Sequence, residues 1–340
     1  MTTATLSRPR ALTFGNVTLT AVLLLLLALY PFVFGKFMNF GVSTLIFAGL
    51  AMSWNILGGW AGQTSLGHAA LLGVGAYTMT LLAMPERVPG GVPLAPWWGT
   101  LIGMALAALL ALVWGGLTFR LRGSYFVLST IAVALVIRLI AINSDWTGGA
   151  EGLFMPELPK FLGLDLFDRK AEYWLAFAFV ALTLLVTHLI RRSRLGYALQ
   201  AVREDEDSAR ALGIDPTRMK VVAFMLSAAL TALGRQPVRA LSAGLRAAHP
   251  AGVADQRADR ADGDHRRARQ HSGPIIGALL LAAFGEIFRA NFANANLLIY
   301  GVLILLVTLF APDGLMGCSR KAGANWGRPD DPARPHAHPA

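Results

Sequence analysis

The sequence predicts an all-α fold, a polytopic bundle of transmembrane helices. Two observations support this prediction: 55% of the 340 residues are hydrophobic while only 15% are charged, and the apolar residues gather in long uninterrupted runs. An ordinary soluble domain has about 25% charged residues, so water is not the only solvent of this chain. Because these runs are far longer than barrel strands, we expect helices, which satisfy their backbone hydrogen bonds internally in lipid.

Nine apolar runs approach the length of ~20 residues that a helix needs to cross a bilayer. They lie near residues 18–34, 41–57, 66–84, 98–117, 124–143, 172–190, 219–234, 275–290 and 297–311. The first run follows Arg8 and Arg10. We interpret it as a first membrane helix rather than a cleaved signal peptide, because no small-residue cleavage site follows it and further spans do.

Polar connections separate these runs. Residues 85–97 are rich in Pro and Gly, which do not continue a helix, and residues 144–171 form a longer connection. Residues 191–218 carry many Arg side chains and are expected to be a charged cytoplasmic loop. Residues 1–317 are therefore predicted to be one transmembrane domain, and residues 318–340 a disordered cytoplasmic tail.

The net charge of +10 is explained by membrane orientation rather than by nucleic-acid binding. The Lys and Arg residues lie mostly between and after the apolar runs, and such residues stay on the cytoplasmic side of membrane proteins. With the N-terminus in the cytoplasm, six spans bring the basic loop at 191–218 back to the cytoplasm. The single cysteine, Cys318, excludes a disulfide framework and a multi-cysteine metal site.

Residues 235–272 interrupt this pattern. They contain eight Arg and four Asp but no Ile, Phe, Tyr, Trp or Met, and each central Arg or Asp costs roughly 2.5–3.5 kcal/mol in a spanning helix. A basic cytoplasmic or disordered loop is the simpler interpretation. This interpretation conflicts with the predicted topology, because the run at 219–234 is the seventh span and should end outside the cytoplasm. Nine spans in total would leave the basic tail outside the cytoplasm as well.

A shift of reading frame removes this conflict. Ala, Arg, Asp, Gln and His codons of a GC-rich gene become apolar codons when they are read one base later. Applied to residues 254–270, the shift permits an apolar run that ends in a Gly-rich turn before Gly273 and Pro274. We hypothesise two compensating frame errors, one near Leu233 and one near Ser272. The restored chain would have about ten helices, with both termini in the cytoplasm.

A polar cluster lies at the junction of the second and third runs. Asn55, Gln63, Thr64, Ser65 and His68 stand among small residues in the segment SWNILGGWAGQTSLGH. Polar side chains at the depth of a span are costly unless they face protein or a water-filled path, and broken helices line the substrate sites of many transporters. These five residues are therefore candidates for the translocation path. Helix packing with a short polar turn is the alternative.

The charged cytoplasmic loop contains apolar residues at helical spacing. Between 194 and 214 they recur among charged residues, as expected of an amphipathic helix. Such a helix docks into a groove on a partner protein, and a helix that lies on the membrane surface is the alternative. The candidate coupling residues of this segment are Arg194, Gly196, Leu199, Val202, Arg203, Glu204, Asp207, Ala209, Leu212 and Gly213.

Several long segments, taken in order, resemble the permease subunits of branched-chain amino-acid ABC importers. They are SWNILGGWAGQTSLGH, RLRGSYFVLST, TGGAEGL, RLGYALQAVREDEDSARALGI and FAPDGLMG. The resemblance covers roughly residues 15–234 and 273–317 and is absent from 235–272. It implies a multi-pass transport subunit of the bacterial inner membrane that is not itself an enzyme.

The resemblance also implies an assembly. The chain would be one of two homologous permease subunits that form the pore, and a cytoplasmic ATP-binding subunit would dock around 194–214. Asp207, Ser208, Ala209 and Gly213 match the coupling pattern of such permeases loosely, with its first letters substituted. A periplasmic substrate-binding protein would deliver leucine, isoleucine, valine or a related small amide. Because the chain lacks a phosphate-binding loop of the GxxxxGK type, the partner would hydrolyse ATP, and no cofactor or metal is expected in this chain.

Three alternatives stay open at this point. An ion-coupled secondary transporter needs acidic residues within spans, for which Glu286 is the main candidate. A membrane-embedded enzyme needs a cluster of catalytic side chains, whereas His68 and His188 are isolated in the sequence. A frame-damaged permease without activity is the third. The substrate is open among branched-chain amino acids, urea and short amides.

Overall fold

The structure is a computed structural model that describes residues 24–33, 35, 38–87, 95–119, 124–149, 152–153 and 168–234. Within these residues the chain is helical and contains no strand, which confirms the predicted all-α class. The expected spans at 275–290 and 297–311, the anomalous segment at 235–272 and the tail at 318–340 lie outside the described residues.

The helices follow the apolar runs of the sequence. They are α1 (Leu24–Val33), α2 (Met38–Asn55), α3 (His68–Ala83), α4 (Pro96–Thr118), α5 (Ser124–Asn143), α6 (Arg169–Arg192), α7 (Arg194–Glu204), α8 (Glu206–Ala211) and α9 (Pro216–Leu233). A π-helical turn, Ile56–Trp60, extends α2, and short 3-10 turns occur at Pro85–Arg87 and Asp145–Thr147. The structure therefore has a helix at each of the first seven predicted runs.

Four helical segments of the described residues are long and apolar enough to cross a membrane. They are Met38–Trp60, Trp97–Thr118, Tyr125–Asn143 and Arg169–Arg192. The helices Leu24–Val33 and His68–Ala83 are apolar but shorter. These lengths agree with the ~20 residues that a spanning helix needs, and they confirm a helical membrane bundle.

Helix α9 lies at the centre of the described bundle. It packs against α4, α3 and α2, while α3 packs against α4, and α2 packs against α6. One buried core surrounds Phe224 of α9 and Trp114 of α4, and a second joins α2 to α6 around Tyr173. Helix α5 is less enclosed: Leu128 and Leu139 on it are more than half exposed, as expected of side chains whose solvent is lipid.

Small residues allow the central helices to approach closely. A Cβ atom on Gly75 of α3 would lie 2.7 Å from the carbonyl oxygen of Ala232 on α9, and one on Gly103 of α4 would lie 3.1 Å from the carbonyl oxygen of Gly75. Packing through glycine is the usual way in which helices associate in lipid, where no hydrophobic effect drives them together. Gly75 therefore stands where α3, α4 and α9 meet.

The charged loop folds as two helices rather than the single helix that its spacing predicts. The break falls at Asp205, whose Oδ1 accepts a hydrogen bond of 2.5 Å from the Ser208 N–H and so caps α8. Ser193 caps α7 and Asp215 caps α9 in the same manner. Since a capping side chain satisfies N–H groups that a helix start leaves unpaired, these residues determine where each helix of the loop begins.

Candidate functional site

The membrane-spanning segment that contains α2 ends in a broken, glycine-rich turn. After the π-helical turn Ile56–Trp60, Gly62 adopts a φ of 67°, and residues 62–65 are irregular before α3 begins. Two hydrogen bonds hold this segment in place: the Gln63 N–H donates to the Leu57 carbonyl at 3.1 Å, and Trp54 Nε1 donates to the Ser65 carbonyl at 2.8 Å. Single π-turns within helices are frequent at functional sites.

His68 connects this break to the neighbouring helices. Its Nδ1 lies 3.0 Å from Ser65 Oγ, and its Nε2 lies 2.8 Å from Ser227 Oγ on α9. Ser227 Oγ in turn donates to the Ser53 carbonyl of α2 at 2.6 Å. Ser53, Ser65, His68 and Ser227 are all buried, so one chain of hydrogen bonds joins α2, the break, α3 and α9.

The pattern of donors and acceptors assigns the tautomer of His68. Ser227 has one hydroxyl proton and donates it to the Ser53 carbonyl, so its oxygen accepts from His68 Nε2. His68 Nδ1 is then the acceptor for the Ser65 hydroxyl, which itself accepts from the Gly67 N–H at 3.4 Å. Every member of the chain is thereby satisfied with a neutral imidazole, an arrangement that avoids a buried charge at the depth of the span.

Further contacts position the same turn. The Leu66 N–H donates to Thr130 Oγ1 of α5 at 3.0 Å, and the His68 ring lies 5.9 Å from the ring of Phe224, measured between centroids. Phe224 also meets Trp114 edge-on at 5.3 Å. The irregular backbone of the break is therefore enclosed by protein on the sides formed by α5 and α9, as non-helical backbone at membrane depth requires.

The five residues predicted for the translocation path lie at this break. The structure buries Ser65 and His68 in the hydrogen-bonded chain, while Asn55, Gln63 and Thr64 are partly exposed. Ser65 and His68 thus hold helices together in this conformation. The role of the five residues in a translocation path stays a prediction. Asn55, Gln63 and Thr64 are the stronger candidates, because a residue of the path must meet solvent or substrate.

The candidate coupling residues divide between two faces of α7 and α8. Gly196, Leu199, Val202 and Ala209 are buried against the bundle, whereas the side chains at the outer face are exposed. The exposed set is Arg194, Glu204, Asp207, Leu212 and Gly213. Arg203 is exposed as well, although its guanidinium is directed towards the spans. This division agrees with the amphipathic spacing of the sequence.

Leu212 departs from that spacing, since it is 77% exposed. The physical reason is the end of α8: Gly213 adopts a left-handed φ of 81°, and the Ile214 N–H donates to the Ala209 carbonyl at 3.0 Å. Residues after such a helix end no longer follow the helical spacing that buries its apolar face. Leu212 therefore projects from the loop instead of packing beneath it.

Two polar contacts tie the loop to the spans. Arg203 Nη1 of α7 donates to the Gly59 carbonyl in the π-helical turn at 2.7 Å. Lys220 Nζ of α9 forms an ion pair of 2.5 Å with Glu206 Oε1 of α8, and the Lys220 side chain is only 5% exposed. The polar break and the charged loop, which the sequence predicts as two separate sites, are thus in direct contact.

Sequence reasoning missed several residues of this site. Ser227 and Thr130 hold the break from α9 and α5, and Lys220 anchors α8. For Ser227 and Lys220 a signal exists, because a polar residue inside an apolar run is costly and usually has a partner. Among the described residues, no group of three His, Cys, Asp or Glu side chains is placed to hold a metal ion.

Comparison with known proteins gives the family. The model of the family described as "Branched-chain amino acid transport system / permease component" matches residues 36–234. The high-affinity branched-chain amino acid transport system permease protein LivM of Escherichia coli K12 is 28% identical over 331 residues, which cover 88% of this chain and 74% of LivM. LivM of Salmonella typhimurium LT2 is 27% identical over 330 residues, again covering 88% and 74%. No solved structure matches the chain significantly. The chain belongs to the family of permease components of branched-chain amino-acid transport systems.

Proposed function

We propose that this chain is a permease subunit of an ATP-driven importer and moves branched-chain amino acids or related small amides across the bacterial inner membrane. Family membership supports a transport subunit, and the names of the two LivM relatives support the substrate class. The observation that carries the mechanism is the broken helix at Ile56–Trp60, whose last turn contacts α7 through Arg203.

The assembly would contain four kinds of component. A second homologous permease subunit completes the pore, cytoplasmic ATP-binding subunits hydrolyse ATP, and a periplasmic protein delivers the substrate. The exposed side of α7 and α8 offers a docking surface of mixed character, with Tyr197 67% and Leu212 77% exposed beside Arg194 and Arg210. A helix that projects apolar and basic side chains from a membrane bundle suits a groove on a soluble partner.

The mechanism is alternating access. Binding of ATP closes the partner subunits, moves α7 and α8, and thereby changes which side of the bundle the break faces. Such a cycle works only if the partner binds ATP more tightly in one conformation than in the other. The irregular backbone between Gly62 and Ser65, which α5 and α9 enclose on two sides, is the part of the described chain best suited to line a path.

An ion-coupled transporter is the weaker candidate. Within α1 to α6 and α9, Glu172 is the only acidic residue of the described helices, and it lies in the first turn of α6. An ion site at the centre of a span usually contains an acidic side chain. The described helices therefore supply no such site at mid-span, and Glu286, the main candidate from the sequence, lies outside the described residues.

The decisive experiment is uptake by proteoliposomes that contain the purified complex. The substrates offered are leucine, isoleucine, valine, urea and acetamide. The binding protein is outside the vesicles, and ATP is in the compartment that the ATP-binding subunits face. We expect uptake of a branched-chain amino acid that stops when a non-hydrolysable ATP analogue replaces ATP and that persists when ionophores collapse ion gradients. Uptake that follows an ion gradient and ignores ATP would refute the proposal.

A further inference from the structure

The end of the α2 span leaves backbone carbonyls that need partners. The last turn of a helix has no following N–H groups to satisfy its carbonyls, and the break prevents α3 from supplying them. The Leu57 carbonyl accepts from the Gln63 N–H at 3.1 Å, within the break itself. The Gly59 carbonyl instead accepts from Arg203 Nη1 at 2.7 Å, a donor that lies 144 residues away in the chain.

The Arg203 side chain also covers the first residue of the irregular segment. A Cβ atom on Gly62 would lie 2.9 Å from Arg203 Cγ, and Gly62 has a φ of 67°, which side-chain-bearing residues rarely adopt. One side chain of α7 therefore touches both the last helical turn of the span and the point at which its backbone turns away. A cation at the negative end of the helix dipole adds a favourable charge interaction.

The apolar face of α7 reaches the same turn. Leu199, fully buried, belongs to the core cluster that contains Ile56, Leu57 and Trp60 of the π-helical turn. Leu199 and Arg203 are four residues apart and so lie on one side of α7. A displacement of α7 would act on the break through packing and through a charged hydrogen bond together.

Two other cations of the loop have different partners. Arg210 pairs with Asp207 at 2.9 Å, and Arg218 pairs with Asp215 at 3.0 Å, each within its own helix or cap. Both pairs are exposed and stay local to the loop. Arg203 differs from these two because its contact crosses from the loop to the broken span.

We propose that Arg203 is a positioning residue that transmits movement of α7 to the break between Ile56 and His68, and that its bond to the Gly59 carbonyl couples the ATP cycle to the opening of the path. This proposal rests on the function proposed above. It assigns to Arg203 a contact that faces the span, whereas the residues that meet the ATP-binding partner lie on the exposed side of α7 and α8.

The test measures hydrogen exchange of the complex in lipid nanodiscs, with and without a bound ATP analogue, and in parallel the ratio of substrate imported to ATP hydrolysed. Arg203→Gln removes the charge, Arg203→Lys keeps a donor, and Arg218→Gln is the matched control on an exposed pair. Gly62→Ala is a second variant, in which the added Cβ atom displaces the Arg203 side chain and also strains the backbone of the break, while the sequence of α7 stays unchanged.

In the unmodified complex we expect the nucleotide to change exchange both in α7 and α8 and in residues 56–67. In Arg203→Gln and Gly62→Ala, the change in α7 and α8 should persist while that in residues 56–67 is lost. Import per ATP should then fall about 10-fold, the effect of losing one charge-assisted bond. Arg203→Lys should restore most of the ratio, and Arg218→Gln should leave it unaltered.

Four results would overturn the proposal. Unaltered rates of both import and ATP hydrolysis in Arg203→Gln would show that the contact transmits nothing. An equal fall in ATP hydrolysis and import would place Arg203 in partner docking instead. If the nucleotide has no effect on exchange in α7 and α8 of the unmodified complex, both the proposed docking of the ATP-binding partner and the transmission through Arg203 are refuted. If the nucleotide changes exchange in α7 and α8 but not in residues 56–67, only the transmission through Arg203 is refuted.

Discussion

Ser227 and His68 show at the scale of single residues how the broken span is held. Ser227 accepts from His68 Nε2 and donates to the Ser53 carbonyl, at 2.8 Å and 2.6 Å. A fully satisfied buried network is stabilising, and a partly satisfied one is costly, because the surrounding dielectric is low. The serine hydroxyl thus matters more to the bundle than its small size indicates.

Ser227→Ala should destabilise the bundle by about 1–3 kcal/mol, since two hydrogen bonds are lost, each worth about 0.6–1.7 kcal/mol in membrane proteins. The measurement is denaturant unfolding of the complex in detergent. Thr80→Val is the control, because among the described residues the Thr80 hydroxyl bonds only to the Ala76 carbonyl, one turn earlier in its own helix. Equal losses in the two variants would contradict the role given to Ser227.

Asp205 gives the loop a dependence on pH. Hydrogen bonds from Ser208, first of all from its backbone N–H, lower the pKa of Asp205 below the ordinary 3.8. A carboxyl whose pKa is lower in the folded chain stabilises it above the unfolded pKa, and this contribution is lost as the pH falls through the folded pKa. The cap of α8 should therefore be intact at neutral pH and open only in acid.

Exchange protection of the Ser208 amide, normalised for the intrinsic effect of pH, should fall on acidification below about pH 4, the ordinary range of an Asp carboxyl. Asp205→Asn keeps a capping oxygen without a titrating charge, so its protection should be flat over the same range. A similar fall in the Asn variant would mean that another group controls the cap.

At the scale of helices, close packing depends on where a glycine faces. Gly75 of α3 lies against the backbone of Ala232, whereas a Cβ atom on Gly73 of the same helix would meet no atom of the described residues within 4 Å. Both residues look alike in the sequence. Their different surroundings arise from the crossing of α3 with α9, which brings only one face of α3 into contact.

Gly75→Ala should destabilise the bundle by about 1–3 kcal/mol, the usual cost of overpacking, because backbone atoms have to move apart. Gly73→Ala should be neutral or stabilise α3 by up to about 1 kcal/mol, since alanine is the better helix former. Unfolding of the two variants side by side in detergent tests this, and a loss in Gly73→Ala as large as in Gly75→Ala would contradict the crossing.

At the scale of the whole molecule, we propose that residues 235–272 result from two compensating frame errors. The segment lies outside the described residues, and the family match ends at residue 234, immediately before it. Sequencing the gene across codons 228–278 should find one base gained or lost near each end. A confirmed reading frame would refute the hypothesis and leave a polar insert where a span is expected.

The frame hypothesis also predicts the topology of the tail. With ten spans, Cys318 lies in the cytoplasm, and it is the single cysteine of the chain. A membrane-impermeant maleimide should then label the restored protein only after the cells are permeabilised. Labelling of Cys318 in intact cells would instead support nine spans, with the tail outside.

The positions of the helices and their buried faces could be predicted from the sequence for different physical reasons. Apolar runs such as those at 98–117 and 124–143 predicted α4 and α5 closely, because a helix in lipid must be long and apolar along its whole length. The burial of Leu199 and Val202 followed from their spacing in α7. The exposure of Leu212 did not, because it depends on how α8 ends.

The sequence by itself determined the class, the membrane setting and the positions of the polar break and the charged loop. Each of these depends on composition and spacing along the chain. Only the tertiary structure decided that His68 meets Ser227 and that Arg203 meets the Gly59 carbonyl, contacts that span 159 and 144 residues. The physical reason is that these partners are chosen by helix crossings, which local periodicity does not encode.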